Sequence, residues 1–217
     1  MNSATRQTET ERVRHLMDKQ APRYDPQMNF FDRVLFAGGR EWICSYAQGE
    51  VLEIAVGSGR NLDHYPPETR LTGIEFSPEM LDLAKVRAAD LGREVDFHLG
   101  DAQDLEFADE SFDTVICTLA LCTIPDPARA IGEAHRVLRP GGRFVALEHV
   151  RSPALPVRAV QRALDPLSVR FEGDHLLREP LDYLSGASFE VEQLERSKWG
   201  IVERVVARKP REARTAA

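Results

Sequence analysis

Three loops place residues able to do chemistry directly after apolar, β-branched runs. Gly57-Ser58-Gly59 closes the run from Val51 to Val56, Glu75 closes Leu71 to Ile74, and Gly100-Asp101-Ala102 closes Val95 to Leu99. Glycines let a backbone turn sharply and bring its N–H groups against a ligand. A carboxylate 16 residues beyond Gly59 is suited to accept both hydroxyl hydrogens of a ribose. Asp101 is suited to accept a hydrogen bond from an exocyclic amine such as that of adenine. The loop lacks both the lysine of a phosphate-binding P-loop and the third glycine of G-x-G-x-x-G. The implied ligand is therefore an adenosine without phosphates. A cationic partner group would suit the surroundings, since 15 acidic residues stand against 5 basic ones between Glu53 and Asp113. Taken singly, each signal also has a plain reading as a solvated turn.

Histidines supply the candidates for proton transfer. His149 ends the fifth apolar run, where a second substrate would approach, and an imidazole there can act as a base. Bonded to a neighbouring carbonyl, it would only shape the pocket. His175 is the second candidate, and His64 lies near the glycine loop; His15, His98 and His135 are assigned to structure. Cys117 and Cys122 are expected to pack along the fourth strand and the loop after it. No Cys/His set has zinc-ligand spacing, so no metal is expected.

The positioning elements follow from periodicity. Thr8 to Gln20 has helical spacing, Pro22 and Pro26 interrupt it, and Phe30 to Tyr46 resumes it. A short helical segment is expected near Asn61 to Tyr65. Ser77-Pro78 and Asp126-Pro127 open further helices, and Gly92 and Pro140-Gly141-Gly142 close them. Phe112 to Thr118, Phe144 to Val150, Phe189 to Leu194 and Ile201 to Ala207 have strand character. Weaker helical patterns lie near Pro156 to Leu164 and Leu176 to Ser185. Strands alternating with helices imply an α/β fold, a Rossmann-like doubly wound sheet that is mostly parallel. The short link between the last two strands makes them an antiparallel pair. The expected organisation is N-terminal helices over 1–48 forming a lid, a ligand-binding domain over 49–210, and a basic, disordered tail over 211–217.

Composition narrows the partners. The chain has 217 residues, 42% hydrophobic and 29% charged, with a net charge of −7. That charge disfavours nucleic acid, where affinity comes largely from neutralising phosphates. The longest stretch without charge has 12 residues, against about 20 for a membrane span. No signal peptide is visible, and the three cysteines are expected as reduced thiols in the cytoplasm. Arg151, Arg158, Arg162 and Arg170 lie among Leu155, Val160 and Leu164. A helix covering the core is the preferred reading of that pattern, and a lipid-facing basic surface the alternative.

These motifs carry a resemblance. Val51-Leu-Glu-Ile-Ala-Val-Gly-Ser-Gly59, Gly73-Ile-Glu-Phe-Ser-Pro-Glu-Met-Leu81, Gly100-Asp-Ala102 and Leu138-Arg-Pro-Gly-Gly-Arg-Phe144 resemble the successive motifs of class I S-adenosylmethionine (SAM)-dependent methyltransferases. The resemblance implies SAM as cofactor, Gly57, Ser58 and Gly59 along its methionine moiety, Glu75 on the ribose, and Asp101 with Ala102 at the adenine. Phe76 and Met80 would pack on the adenine faces, and Tyr24-Asp25 is similar to a pair in helices that close over SAM. Asn61 and Thr118 complete the expected cofactor set. Ala55 stands where the family pattern has its first glycine; a φ below zero would accommodate it. More narrowly, Cys117 to Thr123, Leu147-Glu-His-Val150, Leu164-Asp-Pro166 and Leu177-Arg-Glu179 resemble thiol methyltransferases and bacterial phosphatidylethanolamine N-methyltransferases. The expected function is methyl transfer to a small-molecule acceptor, a thiol or an amine head group. The alternatives are a quinone or phenol C- or O-methyltransferase, or a non-catalytic SAM-binding protein.

Overall fold

The computed structural model describes residues 3–211; residues 212–217 of the expected basic tail lie outside them. Seven strands form one sheet in the order β3-β2-β1-β4-β5-β7-β6. The five parallel strands are β1 (Glu50–Ile54), β2 (Arg70–Glu75), β3 (Asp96–Leu99), β4 (Phe112–Thr118) and β5 (Leu138–His149). β6 (Glu190–Ser197) and β7 (Val202–Arg208) complete the β5 edge as the expected antiparallel pair. Strand order reverses between β1 and β4, where Ile54 pairs with both Ile74 and Cys117. In a doubly wound sheet that switch point opens the ligand crevice.

Alternating side chains divide the core between the two faces of the sheet. Val115, Cys117, Phe144 and Ala146 point to one face, under α4 (Pro127–Val137) and α6 (Pro180–Gly186), meeting Ile131 and Leu184. Ile116, Val145 and Leu147 point to the other, against Ile43 of α2 (Gly39–Cys44). α3 (Pro78–Leu91) begins as its sequence dictates: the Ser77 Oγ accepts the Met80 N–H at 3.2 Å, Pro78 takes the first turn, and Gly92 ends it in the left-handed region. No helix is found at Asn61 to Tyr65, where the chain makes tight turns.

The largest departure from expectation is α1, one helix from Ser3 to Val34 that runs through Pro22 and Pro26. An interior proline removes a helical hydrogen bond and costs about 3 kcal/mol. Contacts with the sheet hold the helix across both interruptions. Thr10 accepts from Gln103 Nε2 at 3.1 Å, Asp18 accepts from Ser77 Oγ at 2.6 Å, and Asp25 accepts from Ser58 Oγ at 2.6 Å. Those partners follow β3, β2 and β1 in turn, so α1 lies across all three strand ends.

α5 (Leu155–Glu172) is also longer than expected, and among its residues only Gln161 is buried. The reading of this segment as a helix that covers the core is thereby overturned. Gln161 is its pin: Oε1 accepts the Ser152 N–H at 2.8 Å, and Nε2 donates to the carbonyls of Val150 and Leu176.

Candidate active site

The glycine loop leaves β1 and turns under α1. Gly57 has φ +58, and a Cβ on it would meet only the Ala55 carbonyl oxygen, at 4.0 Å. The loop thus offers open space to a ligand at Gly57. Gly59, at φ +77, has no such room: a Cβ would sit 2.8 Å from Leu62 and 3.1 Å from the Ala84 backbone. The expectation for Ala55 fails. Its φ is +54, a left-handed conformation that disfavours a Cβ.

Glu75 ends β2 buried, and its two oxygens accept the N–H groups of Gly57 and Ser77, each at 2.9 Å. Burial pushes its carboxyl up to about 7, against the pull of those backbone donors. Each oxygen keeps a further lone pair, which suits a diol. Asp101, after β3, accepts the Gln103 N–H at 2.9 Å and the Gln103 side-chain amide, beside buried Ala102. Met80 is buried in the first turns of α3 and Phe76 is half-buried beside it. Loop, diol acceptor and amine acceptor therefore line up along consecutive strand ends, and the residues fit a nucleoside with a chain attached at its 5′ end.

Asn61 and Thr118 lie beneath the loop. The Asn61 amide donates to Glu53 Oε1 at 2.8 Å and to Thr118 Oγ1 at 2.9 Å, while its oxygen accepts from Arg40. Glu53 also accepts from Tyr65 at 2.9 Å, and burial pushes it up to about 7. Asn61 and Thr118 thus spend their hydrogen bonds on the floor of the loop. Ser58, buried, is tied to Asp25, which also takes Arg60 at 3.2 Å and pairs with Arg87.

Tyr24 reaches past the nucleoside residues into an apolar cavity of about 410 Å³ between α1, α5 and the end of β5. Met17, Phe31, Leu35, Leu119 and Ile201 give it apolar walls, and burial raises the Tyr24 phenol to about 12. Gln20 Nε2 is buried in the same wall without a hydrogen-bond partner.

His149 forms the polar end. Its Nε2 stands 2.9 Å from Asp174 Oδ1, and neither group is far from Cys122 in the same wall. Burial opposes the imidazolium, but the Asp174 charge outweighs it and raises His149 above the usual histidine value. In return His149 holds Asp174 below the usual carboxylate range, despite burial. His175 follows Asp174, with its N–H on the Cys122 carbonyl at 3.0 Å; burial lowers its imidazole. His64 stays by the glycine loop near Asp63, in a separate, charged recess.

Sequence reading missed Asp174, Cys122 and Glu148 as site residues. The ligand atoms of Cys122, His149 and Asp174 lie within 4.8 Å of one another, a donor set a metal ion can take, though the three come from three separated segments. Glu148 Oε1 accepts the N–H groups of Ala120 and Leu121 at 2.9 and 3.0 Å, fixing the loop that carries Cys122. Arg178 grips the same loop from the far side through the carbonyls of Leu121 and Ile124. The signal was present in Leu147-Glu-His-Val150 and Leu177-Arg-Glu179, but spacing alone does not show that the two segments meet.

A doubly wound sheet with a candidate nucleoside crevice at its switch point and a cavity beside it is a Rossmann-like fold. Residues 52–146 match the family described as a methyltransferase domain. The chain is 34% identical over 174 residues to the human thiol S-methyltransferase TMT1A, covering 76% of this chain and 70% of that one. It is 39% identical over 126 residues to a phosphatidylethanolamine N-methyltransferase of Cereibacter sphaeroides, covering 57% of this chain and spanning 60% of that relative's length. A SAM-dependent methyltransferase structure from Methanosarcina mazei superposes with a TM-score of 0.63 at 25% identity, over 77% of this chain and 96% of that one. The chain belongs to the SAM-dependent methyltransferase family.

Proposed function

We propose that the chain transfers the methyl group of SAM to an apolar small molecule carrying a thiol or an amine, with His149 taking the acceptor's proton. The observation that supports this most directly is the His149–Asp174 pair at the end of β5, in a cavity whose lining is largely apolar. SAM supplies an electrophilic methyl group on a sulfonium. Glu75 and Asp101 would hold its ribose and adenine, the loop at Gly57 its amino-acid end, and α1 would act as the lid that excludes water. Lid and walls contribute alignment and desolvation, which supply much of the acceleration in such a displacement.

The proton is the remaining requirement. A thiol has a reference pKa of about 8.5, so a neutral imidazole whose Nε2–H faces Asp174 can take the thiol's proton on its other ring nitrogen, and Asp174 stabilises the imidazolium formed. The aromatic wall of Tyr24, Phe31 and Phe36 also favours a flat phenol or quinol acceptor, served by the same base. Three free cysteines, all buried, suit a cytoplasmic setting. Among the described residues no helix is long and apolar enough to cross a membrane. The test is an acceptor screen with purified protein and SAM, scoring apolar thiols, amines and quinols by mass. The expected product is the thiol or amine carrying one added methyl; none from any acceptor would refute the reading.

A further inference from the structure

α5 carries an exposed surface of which only Leu164 also lines the cavity. Every exposed residue of this helix is either apolar or arginine. Val160, Leu164, Leu167 and Phe171 follow one another at helical spacings of four, three and four, and are 50% to 63% exposed. Such a stripe normally faces a core. Here it faces outward, flanked by exposed Arg162 and Arg170, while the acids Asp165 and Glu172 turn away from full exposure.

The neighbouring elements extend the pattern. α1 packs on α5, with Arg12 donating to the Val169 carbonyl at 3.2 Å. From Glu11 to Val34 its exposed charges are Arg14, Lys19, Arg23 and Arg33, with Glu11 the single acid. At the other end of α5, the Trp199 carbonyl accepts from Ser152 Oγ at 2.6 Å, and the Trp199 indole is 75% exposed beside Lys198. In a chain with a net charge of −7, the exposed side chains of α5 are apolar or basic, and the exposed charges of its neighbours α1 and the Trp199 turn are mostly basic.

We propose that α5, with Trp199 at its start, is a docking surface for an anionic lipid bilayer. An amphipathic helix of this kind lies in the interface with its apolar stripe among acyl chains and its arginines at the phosphates. A tryptophan at the edge suits the headgroup level. A second copy of the chain fits less well, because a two-fold contact would set the arginines of one α5 against those of the other, and α5 itself carries no exposed acid to offset them. The same helix walls the cavity through Gln161, Leu164 and Ser168, so docking brings the cavity beside the bilayer. The surface stands on α5 and its neighbours and does not depend on which acceptor is methylated.

The experiment is co-sedimentation of the full chain with vesicles of phosphatidylcholine alone and of phosphatidylcholine with phosphatidylglycerol, with tryptophan emission followed in parallel. Binding to the anionic vesicles, weakened by salt and accompanied by a blue shift, is expected. Arg162→Gln with Arg170→Gln should weaken binding roughly 30-fold, at about fivefold per arginine. Val160→Asp with Leu167→Asp and Phe171→Asp should abolish it while circular dichroism stays unchanged; the arginine pair carries the test if this variant does not fold. No binding at low salt, or equal binding by the arginine variant, would overturn the proposal. So would a dimer that the aspartate variant splits, without vesicle binding by the wild type.

Discussion

His149 Nε2 lies 2.9 Å from Asp174 Oδ1 in the wall of the cavity between α1, α5 and the end of β5. β5 brings the histidine, and the turn after α5 brings the aspartate, whose charge offsets the burial that would otherwise keep the imidazole neutral.

That pair sets a pH dependence. His149 must be neutral to accept a proton, and its pKa is raised, so kcat/KM should climb with pH through an inflexion above the usual histidine value of about 6.5. Asp174→Asn removes the charge and leaves burial in control, which moves the inflexion to lower pH. His149→Gln should cost about 100-fold or more. A chelator should leave the wild-type rate unchanged, since a histidine that ligates a metal is lost as a base. Inhibition by chelator would reassign Cys122, His149 and Asp174 to a metal site.

Glu75 predicts how SAM binds. Loss of a charge-assisted hydrogen-bonding partner costs about 1.5–3 kcal/mol, so titration calorimetry should show Glu75→Gln and Asp101→Asn weakening SAM roughly 10- to 150-fold. With its carboxyl at about 7, Glu75 ionises as pH rises through that value. Wild-type affinity should rise over the same range, and the Glu75→Gln profile should be flatter.

Ala55 predicts a gain in stability. Its φ of +54 should cost about 1 kcal/mol, which Ala55→Gly relieves, partly offset by the flexibility glycine adds to the unfolded chain. Thermal unfolding should show a midpoint up to roughly 4 °C higher. A lower midpoint would contradict the left-handed assignment.

Stability itself should fall as pH rises from about 4.5 to about 7. Glu53, Glu75 and Glu148 are raised by burial to about 7, so across that window the unfolded chain ionises them while the folded chain keeps them protonated. Denaturant midpoints measured at pH 5 and pH 7 should show it, and Glu148→Gln should narrow the gap.

Where the candidate nucleoside residues fall in the fold was largely legible in advance. Local signals carry it: the glycines after β1, Glu75 after β2, Asp101 after β3, and the capped α3 all depend on near neighbours in the chain. The acceptor half depends on distant ones. Asp174 meets His149 only because Gln161 and Arg178 pin the segment after β5 against the β4–α4 loop. α1 misled for the same reason. Two prolines argue locally for a break, and Asp18 on Ser77 and Asp25 on Ser58 overrule them from outside the helix.

Those contacts make α1 testable as a lid. Asp25→Ala removes the acceptor of Ser58 and Arg60 and the partner of Arg87, and should speed both proteolysis within residues 3–34 and SAM dissociation. Unchanged rates would leave α1 as fixed scaffold.

The most direct measurement is S-adenosylhomocysteine formed from SAM in the presence of an apolar thiol, quantified by mass spectrometry beside the thioether product. Methyl transfer predicts the two products in equal amounts, with both falling about 100-fold in His149→Gln. SAM that binds with the affinity pattern above, yet yields no S-adenosylhomocysteine with thiol, amine or quinol, would contradict it and leave a SAM-binding protein without turnover.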